Sequence, residues 1–431
     1  MNKFQLVFSI ALVVIIALAV ILLLRGFGDD GTKAPEFEIT VWGTDPDETR
    51  WRSLINTYTK EQSPNAKIEY VPKDPRTYEA ELLNALASGA GPDAFFLSNT
   101  LLAKHRDKVQ PLQEQSLGYT KQSLKAAFPD AVVDAVTGPD NELLGTPLYF
   151  DTLALFYNRD YLNTANIPLP PATWDELVNQ SRALTRYAET GAIRRSGVAM
   201  GSSGNVAHAH EIMALLIYQS GGDIVNSANR ASALNSPETE TALGFYTAFV
   251  DPTKRSFSWN ALFPPSIDAF STGDAAFVLG YAADAERITA LNPQLNFDVA
   301  PVPQPTGANI RINMGRFDII ALSRLTKEAN NAWHFLLWLQ ERDVQKRYAD
   351  ARALPPARRD LIASQPPREY LAAFYGQILS ARTLPVEAGD SLARILGDMI
   401  DSAATRQTEL AQAVQRAHRQ LAEALRPPDN P

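Results

Sequence analysis

The densest run of side chains able to do chemistry is Gly201-Ser202-Ser203-Gly204-Asn205, followed closely by His208, His210 and Glu211. His-x-His pairs occur in zinc sites, and a nearby glutamate adds an oxygen donor. The spacing is not HExxH, however, and no second cluster supplies the remaining ligands in a chain with five histidines and no cysteine. Neither a metal nor a cofactor is expected. A Gly/Ser-rich loop entering a helix offers backbone N–H groups instead, so Asn205 and His208 are candidates for contact with a bound molecule. GxxxxGK[ST], GxSxG and CxxC are all absent, which removes the phosphate-cradle, nucleophile-elbow and redox readings. No acid–base pair or poised nucleophile stands out, so the chain is read as a non-enzyme. A hydrolase built on scattered carboxylates is the enzyme-class rival.

The elements that must position these residues alternate. Glu38 to Trp42 reads as a strand. Asp45-Pro46-Asp47-Glu48 follows it, with Asp45 as N-cap, proline at the first helical position and acids in the first turn of a helix running to about Glu61. Ala66 to Val71 is a second strand, Asp74-Pro75 opens a second helix, and Asp93 to Leu97 is a third strand. Strand, helix, strand, helix, strand is the pattern of an α/β fold with a parallel sheet and helices on its faces. Ligands in such sheets sit beyond the carboxyl ends of the strands, which places Thr44, Asp45, Ser98 and Asn99 at a prospective cleft. Thr173-Trp174-Asp175-Glu176 is a capping box and Ser236-Pro237-Glu238 another helix start. Asn330 to Gln340 reads as a strongly apolar helix, and Ser391 to Leu425 as one or two amphipathic helices.

The N-terminus carries a different signal. Phe4 to Leu24 is apolar apart from Gln5 and Ser9. A helix of that length reaches roughly 30 Å, the thickness of a hydrocarbon core. Residues 1–25 are therefore expected to be a retained single-span anchor, and 26–36 a linker. A long, removable signal sequence is the alternative. The following Arg25-Gly26-Phe27-Gly28-Asp29-Asp30 offers no good cleavage signal. The remainder, from a chain with 45% hydrophobic and 20% charged residues, can build a substantial core, and the net charge of −8 argues against a nucleic-acid partner.

The order of several short motifs resembles the extracellular solute-binding proteins of ABC importers, of the class that includes the maltodextrin-binding protein. They are Trp42-Gly43, Ser88-Gly89-Ala90-Gly91-Pro92-Asp93, Gly145-Thr146-Pro147, Leu153 to Asp160 (LALFYNRD), Pro171 to Leu177 (PATWDEL), Phe270 to Phe277 (FSTGDAAF) and Val299-Ala300-Pro301-Val302-Pro303. The resemblance implies a two-lobe periplasmic-binding-protein-like fold with a hinge and an interlobe cleft. The first lobe would comprise residues 37–149 plus 304–339 and the second 150–303 plus 340–431. It also implies a monomeric receptor, outside the cytoplasm, that captures a small solute, with a carbohydrate favoured, and hands it to ABC permease subunits. A sensor or adhesion module working with another membrane protein is the alternative.

By the same resemblance Asp151, just after Tyr149-Phe150 at the first hinge crossing, stands where related sugar binders use a carboxylate, and Tyr281 stands at a ligand station. Tyr149, Trp259, Tyr281 and Arg316 complete the candidate set, since aromatic faces stack on sugar rings while polar groups hold the hydroxyls. Ala282 and Ala283 follow Tyr281 where many sugar binders carry tryptophan.

Overall fold

The computed structural model describes residues 37–226, 228–385 and 389–426, so the anchor and linker expected before Phe37 lie outside the described residues. Among the described residues no helix is long and apolar enough to cross a membrane. The strands in chain order are β1 (Phe37–Gly43), β2 (Ala66–Pro72), β3 (Ala94–Ser98), β4 (Thr146–Pro147), β5 (Asp151–Thr152), β6 (Ala154–Asn158) and β7 (Arg186–Tyr187). They continue with β8 (Ile193–Val198), β9 (Ala275–Gly280), β10 (Phe297–Pro301), β11 (Asn313–Arg316), β12 (Asp318–Leu322) and β13 (Ala381–Arg382).

Two five-stranded sheets each carry their own core. The first has the order β2-β1-β3-β12-β4. Its β1, β2 and β3 run parallel, as the strand–helix alternation predicts, while β12 returns antiparallel to β3 from far along the chain. Alternate residues Phe37, Ile39 and Val41 of β1 are buried, and the four apolar residues of β3 are buried on both faces. The second sheet has the order β10-β6-β9-β8-β7, and every residue of β9 is buried. Helices cover both sheets. The helices at Trp174–Leu184 and Pro237–Thr247 open on the expected caps, Thr173 with Glu176 as a reciprocal box and Ser236 accepting from Thr239 N–H.

The first helix departs from expectation. It begins at Glu48, and its cap is Asp47, which accepts from the N–H groups of Thr49 and Arg50. Asp45 is thereby released from capping. Its carboxylate instead receives the Arg50 guanidinium.

A third, three-stranded sheet of order β13-β11-β5 joins the lobes. Its strands β5 and β11 are antiparallel, with Gly315 opposite Thr152 and Arg316 opposite Asp151. Each strand is anchored at both ends in different cores: Phe150 and Phe317 pack in the first, Leu153 and Met314 in the second. The chain therefore crosses at residues 150–153 and again at 314–317. The second crossing falls later than Gln304, because Gln304 is held in the second lobe by hydrogen bonds to Ala172 and Trp174. Crowding at the crossing explains Gly315, where a Cβ would lie 2.4 Å from the Phe150 ring. The return through the first lobe also extends beyond Leu339. Val344, Tyr348 and Ala357 belong to the first core, with the Tyr348 ring edge-on to Trp51 at 5.9 Å. Leu354, Leu371 and Phe374 already pack in the second, as do the closing helices Gly389–Ala404 and Leu410–Ala424 through Leu392, Ile395, Val414 and Leu421.

Candidate functional site

Between the lobes lies a cavity of ≈ 340 Å³. Its walls come from the start of the first helix (Arg50), from the residues after β9 (Ala282, Ala283, Glu286), and from the return segments (Arg352, Leu354, Arg368, Tyr370). Two charged clusters, one in each lobe, back these walls.

The first cluster centres on Asp45, which is only 2% exposed. Arg50 Nη1 lies 2.6 Å from both carboxylate oxygens, and Arg352 Nη1 donates from 3.4 Å. Asp47 takes a second nitrogen of Arg50 at 3.1 Å. The backbone carbonyl of Asp45 accepts from the Tyr70 hydroxyl at 2.8 Å, and the Tyr70 ring is stacked on Trp51 at 4.6 Å. Asp45 therefore works as a buried anchor that fixes the two arginines at the cavity wall.

The second cluster surrounds Asp151. This side chain is fully buried and accepts from the N–H groups of Ala282 at 2.9 Å and Ala283 at 3.1 Å. Burial pushes its carboxyl up to about 6, against the opposing pull of Arg316 and those two amides. The Arg316 guanidinium carbon lies over the Tyr281 ring, 3.9 Å from its centroid, and the side chain makes no hydrogen bond or ion pair among the described residues. Behind the ring, His208 Nε2 is 2.8 Å from Asp284 Oδ2, and the same oxygen accepts from Tyr281 N–H at 2.7 Å. Burial alone would raise the Glu211 carboxyl, but His210, His208 and Arg316 outweigh it and hold it down at about 2. Between the clusters the Tyr149 hydroxyl donates to Asp318 Oδ2 at 2.7 Å. Burial raises the carboxyl of Asp318, with that bond and Arg316 opposing.

This arrangement is a cleft in which Arg50 and Arg352 of the first lobe and Ala282, Ala283 and Glu286 of the second line one small cavity. Over residues 44–346 the chain matches the profile of the bacterial extracellular solute-binding proteins. The chain belongs to that family. A Brucella abortus (strain 2308) relative, named only as a binding protein, is 24% identical over 313 residues, 68% of this chain and 70% of that one. Among solved structures, an ABC transporter solute-binding protein from Thermotoga lettingae bound with α-D-tagatose superposes with a TM-score of 0.72 at 20% identity, covering 90% of this chain and 99% of that one. The cyclic α-maltosyl-1,6-maltose binding protein from Arthrobacter globiformis gives 0.76 at 19%, with the same coverages. At such identities the structures speak for the fold alone.

The remaining expected residues of this solute-binding protein fall in several places. Trp259 is a core residue: it is fully buried, stacked on Phe263 at 4.5 Å, and its indole N–H donates to Asn205 Oδ1 at 2.9 Å. Asn205 is in turn committed to the carbonyls of Asn260 and Phe263. That pair ties the 201–205 loop to the segment before the helix Ser266–Thr272, away from the cavity lining. Asn99 is buried and exchanges bonds with Phe317 at the crossing, while Ser98 bonds Thr100 Oγ1 at 3.0 Å. Thr44 is half-buried beside Asp45. His208 is an Asp284 partner at the start of the helix Ala209–Gln219. Among the described residues no group of three or more His, Cys, Asp or Glu side chains converges as metal ligands. The sequence reading missed Arg50, Arg352, Arg368 and Tyr370. Only Arg50 carried a local signal, since a basic residue three positions after an N-terminal aspartate can fold back on it.

Proposed function

We propose that the chain is a membrane-tethered receptor that captures a small sugar or oligosaccharide in the interlobe cavity and delivers it to an ABC permease without chemical change. The soluble lobes work outside the cytoplasm, held by the apolar N-terminal segment. In this reading Asp45, Tyr149, Asp151, Tyr281 and Arg316 organise the cleft, with Asp151 acting through the Ala282–Ala283 amides. Thr44, Ser98 and Asn99 frame the first-lobe side, and His208 braces Tyr281. Lobe closure about β5 and β11 is the response to ligand.

The observation that carries this reading is the placement of the cavity. It lies where residues from both lobes meet, next to a hinge sheet whose strands are rooted in both cores. Carbohydrate is favoured because the tagatose-bound and maltosyl-maltose-binding structures superpose over nearly all of their own lengths. The test is a thermal-shift screen of mono- and oligosaccharides on the full chain in detergent micelles, followed by small-angle scattering with the best ligand. A saturable rise in melting temperature together with a smaller radius of gyration supports the reading. Saturation with no change in radius contradicts the closure step, and turnover of the sugar contradicts the transport role.

A further inference from the structure

We infer that the solute is anionic: a sugar bearing a carboxylate or phosphate group, held by guanidinium groups at the interlobe cavity. The inference rests on the sugar-receptor reading above and narrows its substrate class.

Three guanidinium side chains line the cavity, Arg50, Arg352 and Arg368, against a single carboxylate, Glu286. Part of this charge is neutralised from behind, since Asp45 and Asp47 engage Arg50 closely and Asp45 reaches Arg352 at longer range. The balance of hydrogen-bonding groups is nonetheless one-sided. Arg352 Nε is buried without a hydrogen-bond partner, as is the hydroxyl of Tyr281, the residue just before the cavity-lining Ala282. Arg316, over that same ring, makes neither hydrogen bond nor ion pair among the described residues, but the carboxylates of Asp151, Asp284 and Glu211 act on its charge. Buried polar groups of folded proteins are almost always satisfied. Of these groups Arg352 belongs to the cavity wall, where an acceptor on a bound molecule can pair with its guanidinium.

Aromatic surface points the same way. A neutral oligosaccharide cleft relies on exposed rings for stacking. Of the six tryptophans, five (Trp51, Trp174, Trp259, Trp333 and Trp338) are buried in the cores. The sixth, Trp42, has the Lys73 ammonium seated over its ring at 3.7 Å. Among the described residues Tyr370 is the one aromatic that lines the cavity. A guanidinium fork binds a planar carboxylate or a phosphate through paired, charge-assisted hydrogen bonds.

Isothermal titration of the full chain in detergent micelles decides this. The probes are glucuronate and glucose 6-phosphate with glucose as their neutral parent, digalacturonate with digalactose, and acetate and inorganic phosphate as anions without a sugar. At least one acidic sugar is expected to bind about tenfold or more tightly than its neutral parent, and its affinity should fall as salt is raised. Whether the uronates or the phosphate win identifies the anionic group. Arg352→Gln and Arg368→Gln should each remove most of that advantage. Arg368 is exposed, so its loss leaves the fold intact. Neutral parents binding as tightly as the acids, or both variants keeping the preference, overturns the inference and leaves the sugar receptor standing. Saturation by acetate or phosphate with no saccharide bound overturns the sugar reading itself, and silence from every probe overturns both.

Discussion

Asp151 and Arg316 are cross-strand partners in the hinge, paired in register on β5 and β11. Neither carries the other in a direct ion pair. Asp151 turns to the amides of Ala282 and Ala283, while Arg316 covers Tyr281. One pair of residues thus links the two chain crossings to the residues that form one wall of the cavity.

Removal of this link should affect stability and binding together. In Asp151→Ala the amides of Thr152, Ala282 and Ala283 lose their side-chain acceptor, and each such loss in a buried setting costs about 1–3 kcal/mol. We expect stability to fall by about 2–4 kcal/mol and affinity by about tenfold, ~1.4 kcal/mol, because the cavity wall at Ala282 and Ala283 loses its anchor. Denaturant melts and titration calorimetry on the same preparation measure both. A variant with weakened binding and unchanged stability would make Asp151 a direct ligand contact instead.

The same carboxyl gives the protein a pH signature. Its folded value of about 6 lies above its ordinary 3.8. The folded state therefore keeps a proton that the unfolded chain releases earlier. The associated stability is full below about 3.8 and is lost as pH rises through about 6. Glu211 works in the opposite sense: lowered from 4.5 to about 2, it contributes stability above 4.5 that is lost as pH falls through about 2. Melting temperatures of wild type and Asp151→Asn from about pH 4 to 7 isolate the first effect. The wild type should lose stability relative to the variant across that range. Parallel curves would show that Asp151 titrates normally.

Trp259 should behave as a core residue. Trp259→Ala removes a fully buried ring together with a hydrogen bond to Asn205, and should cost about 3–5 kcal/mol of stability. Affinity measured well below the variant's melting temperature should stay within about threefold of wild type, less than 1 kcal/mol. A large loss of affinity at preserved stability would return Trp259 to the binding surface.

These contrasts mark how much the chain discloses before folding. The β1 to β3 alternation and the caps at Thr173 and Ser236 are local, and were legible from residue spacing. The cleft was legible only in outline. Strand ends pointed to Thr44, Asp45, Ser98 and Asn99, but the partners of Asp45 lie five and about three hundred residues away. Arg352 and Arg368 sit in helical and loop sequence with no distinguishing motif. Trp259 was a candidate because aromatic faces stack on sugar rings, yet its indole N–H is bound by Asn205, 54 residues earlier. Local pattern reveals elements. Charge pairing across the hinge belongs to the tertiary fold.

If the interlobe cavity is the binding site, filling it abolishes binding, and Ala283→Trp tests that most directly. Ala283 is half-buried on the cavity wall, so an added indole occupies the ligand space while the backbone amide still serves Asp151. The measurement is calorimetric titration of wild type and variant with the tightest-binding saccharide, with a melting curve for each. We predict a loss of affinity of at least about a hundredfold, on the order of 2.7 kcal/mol, with a melting temperature close to wild type. Unchanged affinity in a stably folded variant would contradict the interlobe site.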